Sequence, residues 1–284
     1  MDRPRRVLVQ LDTSMRVNLF DTIAGIDQGI DIVLPIPNVS PQEVDALVQD
    51  ALFSRAPTYS TAFWVGGRDH RKTLAVFSAV VQAMVSPFVA SVALDPSGAN
   101  TTAAAVVSIL KDHVSPNRGS VYIIGGSGMV GQSVLAMASR EGYRLVVASL
   151  HPDRMQQVSI DLAERYKIAA PDVLSLSSPL PNDVAAVIAA GPPGVEVFRP
   201  DRLPHPVDIL IDVNAVPPSG IFGVQPSDRG CLVADSPAWG ALALGARKMK
   251  IHHKLLASLF LPSANAYDAM EIFELAKKVT EPET

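Results

Sequence analysis

A glycine-rich turn between an apolar run and a helix-forming segment restricts the fold of this chain more than any other feature. Residues 121–124 are rich in β-branched side chains and predict a buried parallel strand. Helix-forming residues up to Glu141 and a second apolar run, residues 143–148, follow the turn. The turn itself is a G-x-G-x-x-G stretch, Gly126-Ser127-Gly128-Met129-Val130-Gly131. Strand, glycine turn, helix and strand in this order are typical of a Rossmann dinucleotide-binding domain.

Each glycine of the motif has a predicted role. Gly126 allows a tight turn, Gly128 lets the backbone approach a pyrophosphate, and Gly131 lets the helix pack close to the strand. Free N–H groups in the first helical turn would face the phosphates. We therefore predict that residues 126–131 bind a dinucleotide. The alternative is a plain βαβ unit in which the glycines serve packing alone.

The end of the second strand indicates which dinucleotide is preferred. A carboxylate about 20 residues after the start of the motif usually holds the ribose 2′-OH of NAD. Here the strand ends at Ser149, and His151 and Arg154 follow, which are donors suited to a 2′-phosphate. Asp153 is predicted to cap the next helix. We predict NADP as cofactor, with NAD weaker; equal use of both is the alternative.

Composition excludes several classes of protein. The chain has 284 residues, 48% of them hydrophobic, which is enough for two domains. A net charge of −4 gives no indication of a nucleic-acid partner. The single cysteine, Cys231, excludes an internal disulfide, and no histidine spacing predicts a metal site. Neither a signal peptide nor an apolar run of about 18 residues is recognisable, so we expect a cytoplasmic protein without membrane association.

Strand and helix patterns alternate along the chain and predict an α/β fold with parallel sheets. Strands are predicted at residues 6–11, 31–35, 62–65, 88–93, 183–189 and 207–213, with helices between them. Ser40, Pro41 and Glu43 form a capping box for a helix that ends near Phe53. We predict one domain over residues 1–104 with about 255–284, and a Rossmann domain over 105–254. Helices at 251–260 and 266–279 follow, and at least the last should pack back on the N-terminal domain.

Three further stretches resemble one protein family over nearly the whole chain. They are Asp95-x-x-Gly98-x-Asn100-Thr101-Thr102-Ala103-Ala104-Ala105, Asp212-x-Asn214-Ala215-x-Pro217-Pro218-x-Gly220-Ile221, and Lys248-x-Lys250-x-His252. Together with the glycine motif they resemble the bacterial NAD(P)-dependent methylene-tetrahydromethanopterin dehydrogenases. The resemblance implies an N-terminal pterin-binding α/β domain, a Rossmann domain and a substrate cleft. It also implies oxidation of a methylene-tetrahydropterin to the methenyl form, in one-carbon (formaldehyde) oxidation.

The resemblance also implies site residues. Lys248 corresponds to the family's active-site lysine and is the predicted catalytic residue; the alternative for Lys248 and Lys250 is a pair of surface charges at a helix start. Carboxylates at or just after strand ends are predicted to contact the pterin, because ligands bind beyond the carboxyl ends of parallel strands. The predicted substrate residues are Asp12, Asp21, Asp95, Asn100, Thr102 and Lys250; for the aspartates the alternative is helix capping. Gly191 is predicted to approach the nicotinamide ribose closely, and the alternative is a turn before Pro192 and Pro193. Asn214 is predicted to bond the carboxamide of the nicotinamide.

Hydride transfer to the cofactor leaves a resonance-stabilised cation and removes no proton, so we expect no general base. The reaction instead requires that the pterin and nicotinamide rings are correctly oriented and that the electrostatic field of the site matches the developing positive charge. Three other functions remain open: a methylene-tetrahydrofolate dehydrogenase, an NADP-linked reductase of a small keto acid, and a non-catalytic NADP-sensing protein. Leu- and Ala-rich helices also lead us to expect a homo-oligomer.

Overall fold

Helices and strands alternate throughout residues 3–280, the part of the chain that the computed structural model describes. Two compact units are present. The first contains residues up to Thr101 and a C-terminal segment that begins at Lys250; the second runs from Thr102 to Met249. In chain order the elements are β1 (Val7–Asp12), α1 (Leu19–Asp27), β2 (Ile32–Ile36), α2 (Val44–Phe53), β3 (Thr61–Gly66), α3 (His70–Ala83), β4 (Ser91–Leu94), α4 (Ala99–His113), β5 (Ser120–Ile124), α5 (Met129–Arg140), β6 (Arg144–Ser149), α6 (Pro152–Tyr166), β7 (Asp172–Ser175), β8 (Val184–Ala189), β9 (Ile209–Asp212), β10 (Arg229–Val233), β11 (Ser236–Trp239), α7 (Ala241–Ser258), β12 (Ala266–Tyr267) and α8 (Ala269–Thr280).

The first unit contains a five-stranded parallel sheet in the order β12-β4-β3-β1-β2. All residues of β1, β3 and β4 are buried, as expected for central strands covered on both faces. The capping box before α2 is present: the Ser40 N–H donates to Glu43 Oε2 at 2.9 Å. The C-terminal segment joins this sheet, because β12 pairs with β4 and places Ala266 beside Val92. The predicted parallel α/β fold of the N-terminal unit is thereby confirmed.

The second unit contains a seven-stranded sheet in the order β10-β11-β9-β8-β5-β6-β7. Only the β10–β11 pairing is antiparallel. The order β7-β6-β5-β8-β9 is the Rossmann arrangement, with β5 at the point where the strand order reverses. A ligand is expected beyond the carboxyl end of β5, where the glycine turn lies.

Three local predictions were wrong. Helix α7 begins at Ala241, ten residues before the predicted start at 251, so Lys248 and Lys250 lie inside a helix. Residues 266–267 are the short strand β12 and not the start of the last helix. Strands β7, β10 and β11 were missed; β7 is only half-buried and β10 is largely exposed, so neither has a strong apolar pattern.

Candidate functional site

The turn between β5 and α5 depends on a glycine one residue before the motif. Gly125 has a φ of +85°, and a Cβ there would lie 2.3 Å from the carbonyl oxygen of Ala190. Gly126 has no positive φ; its missing Cβ makes room for Val147, whose Cγ2 would lie only 2.4 Å away. The turn role predicted for Gly126 was therefore wrong. The conformational freedom is needed at Gly125, and Gly126 allows close packing against β6.

Gly131 and Gly128 differ in what their missing side chains allow. A Cβ at Gly131 would lie 2.3 Å from the carbonyl oxygen of Gly125, so the predicted close packing of the helix is confirmed. Gly128 is the N-cap of α5, and a Cβ there would meet nothing closer than 3.5 Å. Since no described side chain caps this helix, the N–H groups of its first turn remain available to an anion.

A cavity of about 610 Å³ lies beyond the carboxyl ends of β5, β8 and β9. Small-molecule sites typically measure roughly 300–1,000 Å³. Six predicted cofactor residues line it. The lining is Gly125, Ser127, Gly128, Met129, Val130, Ala190, Gly191, Pro192, Pro193, Val213, Asn214, Ala215 and Val216. Gly191 also has a packing reason, since a Cβ there would lie 2.9 Å from Val197 Cγ1. Backbone amides, small residues and apolar walls fit a dinucleotide.

The end of β6 holds the residues predicted to select NADP. Ser149 Oγ accepts the His151 N–H at 3.1 Å, and the His151 and Arg154 side chains are exposed. Helix α6 begins at Pro152, so Asp153 lies in its first turn and is not its N-cap, contrary to the prediction. The missed strand β7 places Ser175 directly beside Ser149. No carboxylate stands between Ser149 and α6, so nothing in that stretch repels a 2′-phosphate.

The loop after β9 is held by hydrogen bonds among its own residues. Asp212 is 1% exposed and accepts the N–H groups of Asn214 at 2.9 Å and Ile221 at 2.8 Å. Burial raises the pKa of Asp212 above its usual value, and the backbone N–H bonds act in the opposite direction. Asn214 Oδ1 accepts the Val216 N–H, and Asn214 Nδ2 donates to the Pro218 carbonyl at 3.2 Å. The Asn214 amide thus shapes the cavity wall, and its second amide hydrogen is not used in that bond.

Two predicted substrate carboxylates of the first unit are buried and hold backbone amides. Asp12 is 1% exposed and accepts two N–H groups of the following loop, at 2.7 and 3.1 Å. Asp95 is fully buried and accepts the N–H groups of Asn100 and Thr101 at 2.8 and 3.1 Å. It also accepts the Thr101 hydroxyl at 2.7 Å. Both carboxylates therefore fix the turns that follow β1 and β4.

Asn100 and Thr102 lie in the first turn of α4. Asn100 is buried, and its Nδ2 donates to the Leu94 carbonyl at 2.6 Å. Thr102 is half-buried and is the first residue of the second unit. Asn100 therefore holds the end of β4 to α4.

The third predicted carboxylate, Asp21, lies inside α1, so its predicted position at a strand end was wrong. It lies beside a histidine for which the sequence predicted no role. His252 is fully buried, with its Nε2 4.0 Å from Asp21 Oδ1 and its Nδ1 3.7 Å from Asp95 Oδ2. Trp64 and Phe20 pack around the imidazole, with ring centroids 4.9 and 5.4 Å away. We call His252, Asp21 and Asp95 the imidazole–carboxylate cluster. His252 is part of the K-x-K-x-H stretch, but the sequence pattern gave no indication that this histidine is buried.

The two lysines of that stretch differ in exposure. Lys248 is half-buried and Lys250 is exposed. Lys248 precedes His252 by four residues on α7, so the two side chains share one face of the helix. Lys250 projects from a different face.

Residues 3–280 contain neither a metal-binding cluster nor a membrane-spanning helix. No group of three or more His, Cys, Asp or Glu side chains in this range could hold a metal ion. No helix in the same range is both long and apolar enough to cross a bilayer.

Comparison with known proteins identifies the family. A protein-family model described as "Methylene-tetrahydromethanopterin dehydrogenase, N-terminal" matches residues 19–97. The chain is 33% identical to the "Bifunctional protein MdtA" of Methylorubrum extorquens AM1, over 97% of this chain and 99% of that protein. It is 30% identical to the "NAD(P)-dependent methylenetetrahydromethanopterin dehydrogenase" of the same organism, over 85% of this chain and 87% of that protein.

Solved structures extend the likeness in fold alone. Quinate dehydrogenase from Corynebacterium glutamicum, solved in complex with NAD, aligns with a TM-score of 0.55 and 14% identity. The alignment covers 96% of this chain and 99% of that one. Identity over almost the full length, together with the family match, shows that the chain belongs to the methylene-tetrahydromethanopterin dehydrogenase family.

Proposed function

We propose that this chain is an NADP-dependent dehydrogenase that transfers a hydride from methylene-tetrahydromethanopterin to NADP. The product is methenyl-tetrahydromethanopterin, and the reaction serves one-carbon (formaldehyde) oxidation. The observation that carries the proposal is membership of the family over 97% of the chain. The glycine-lined cavity beside α5 supports it, because a dehydrogenase of this kind needs a dinucleotide site.

The second unit, in this proposal, binds the cofactor. The first-turn N–H groups of α5 and the backbone around Gly128 hold the pyrophosphate, as they do in other Rossmann domains. Ser149, His151 and Arg154 hold the 2′-phosphate, which makes NADP the preferred cofactor and NAD the weaker one. Asn214 donates its remaining amide hydrogen to the carboxamide of the nicotinamide. When bound, the cofactor supplies the hydride acceptor, and the protein orients the reacting rings and provides the electrostatic field around them.

The first unit binds the pterin in this proposal. Asp12, Asp95 and Asn100 already bond to backbone groups, so their part is to hold the loops that surround the substrate. Asp21 is the carboxylate that we assign to the amino-pyrimidine edge, whose N–H groups are donors. Thr102 and Lys250 are secondary contacts.

The chemistry needs no general base, because the methylene carbon loses a hydride and no proton. Lys248 is the proposed catalytic residue. A charged ammonium next to the forming cation would raise the barrier. We therefore assign Lys248 to a pterin oxygen away from the reacting carbon.

The decisive experiment is to mix the purified chain with methylene-tetrahydromethanopterin and NADP and follow the absorbance of NADPH. Parallel reactions with NAD and with methylene-tetrahydrofolate measure the preference for each cofactor and each pterin. We expect the highest kcat/KM with NADP and the methanopterin. Binding of NADP without turnover of either pterin would reject the enzyme proposal in favour of an NADP-sensing protein.

The proposal also includes a cytoplasmic location and assembly as a homo-oligomer. Exposed apolar side chains on α1 support the second point: Leu19, Ile23 and Ile26 are 66%, 56% and 58% exposed. Such a patch on a soluble protein is commonly covered by a partner. Light scattering of the purified chain measures the subunit number.

A further inference from the structure

His252 is a buried polar group with no hydrogen bond in the described part of the chain. Its side chain and that of Asp95 are 0% exposed, and that of Asp21 is 1% exposed. Burial of an imidazole without hydrogen bonds is unfavourable, and native proteins rarely keep such a group without a functional reason. Its position between two carboxylates, at 3.7 and 4.0 Å, indicates what that reason is.

The surroundings of the ring are strongly acidic. Asp21 on α1 and Asp95 after β4 face the two ring nitrogens, while β3 contributes the uncharged Trp64. Asp12 lies near Asp21, because a Cβ at Gly66 would lie 3.5 Å from Asp12 Oδ2 and 4.0 Å from Asp21 Oδ2.

The two sides of the imidazole are not equivalent. Asp95 is fixed by two backbone N–H groups and one hydroxyl, so it provides a rigid anchor for Nδ1. Trp64 and Phe20 limit rotation of the ring between them. The Nε2 side of an anchored ring can then determine where the Asp21 carboxylate lies. Hydrogen bonds of this kind are often long before a ligand binds and shorten in the complex.

We propose that His252 is a positioning residue: its imidazole lies between the fixed Asp95 and Asp21 and orients Asp21 for the pterin. This inference rests on the proposed function, since it assigns a partner to the proposed substrate carboxylate. His252 touches neither the reacting carbon nor the cofactor. Its loss therefore changes pterin affinity much more than it changes turnover.

Two substitutions test the proposal. His252→Leu fills a similar volume without a donor, and we expect the pterin KM to rise roughly tenfold, as for loss of one hydrogen bond to a charged group. His252→Gln keeps an N–H donor near the Nε2 position and should restore most of that loss. In both variants kcat and the affinity for NADP should stay close to the wild-type values. The matched control is His113→Gln in the second unit, where the imidazole Nδ1 bonds the Ile109 carbonyl, and no change of pterin KM is expected.

A role in folding alone gives a different pattern. It would lower the melting temperature of the variants and leave the pterin KM at the wild-type value, which would overturn the proposal. If His252→Leu does not fold, His252→Phe, which also lacks a donor, takes its place, and a wild-type pterin KM in that variant counts against the proposal. A wild-type chain that turns over no pterin would reject the proposed function and this inference with it.

Discussion

Gly128→Ala separates cofactor binding from folding more cleanly than any other change in the glycine turn. Gly128 has φ −74° and ψ 166°, which alanine adopts without strain, and the new Cβ would lie 3.5 Å from the nearest atom, the Gly125 carbonyl oxygen. The only expected folding effect is a change of N-cap residue, worth about 1 kcal/mol or less. The melting temperature should therefore stay close to that of the wild type.

The effect on NADP should be much larger. Gly128 lines the cavity, so its Cβ would occupy the space through which a pyrophosphate approaches the backbone. A displacement of about 1.5 Å takes an N–H···O contact beyond hydrogen-bond range. Loss of one bond to a charged group is worth about 1.5–3 kcal/mol, which corresponds to a Kd increase of roughly 10- to 150-fold.

Calorimetric titration with NADP and thermal unfolding of the same samples measure the two effects. Gly131→Ala is the matched control. Its Cβ would lie 2.3 Å from a backbone oxygen, so α5 must shift by about 1 Å, which costs about 1–3 kcal/mol of stability. It should lower both stability and NADP affinity. If Gly128→Ala bound NADP as tightly as the wild type, the pyrophosphate would not lie against Gly128, and the proposed cofactor position would be wrong.

Three other predictions concern side chains. Arg154→Ala should raise the KM for NADP roughly tenfold and leave that for NAD unchanged, because only NADP carries the 2′-phosphate; equal effects on both would exclude a phosphate contact. Lys248→Ala should lower kcat by at least about tenfold with NADP affinity preserved, whereas Lys250→Ala should change kcat by less than about threefold; near-normal turnover of Lys248→Ala would remove that residue from the mechanism. Burial, followed by the hydrogen bond and charge of Asp268, raises the pKa of Glu271 to about 7. The native state then binds a proton more tightly than the unfolded chain, so stability falls as pH rises from about 4.5 to 7. Solvent screening makes this fall small, since the side chain is more than a third exposed. Melting curves should show that Glu271→Gln reduces the fall, and an identical pH profile would contradict the shifted pKa.

The sequence predicted correctly those elements whose structure depends on residues that are neighbours in the chain. The buried strands β1, β3, β5 and β8 have continuous apolar runs, and the capping box before α2 acts within four residues. The glycine motif and the family resemblance located the dinucleotide site, because its residues are close together in the sequence. Edge and half-buried strands such as β10 and β7 lack that pattern, so they could be found only from their pairing.

The sequence by itself determined the α/β class, the Rossmann turn and the positions of Asp12 and Asp95 at strand ends. Only the tertiary structure decided which carboxylates hold backbone amides and that Asp21 and Asp95 both face His252. Asp21, Asp95 and His252 are far apart in the chain, and no local preference records that they meet in one buried cluster. The turn conformation at Gly125 likewise depends on the distant Ala190. Burial and long-range contacts arise from packing of the whole chain, so they cannot be predicted from a short segment of the sequence.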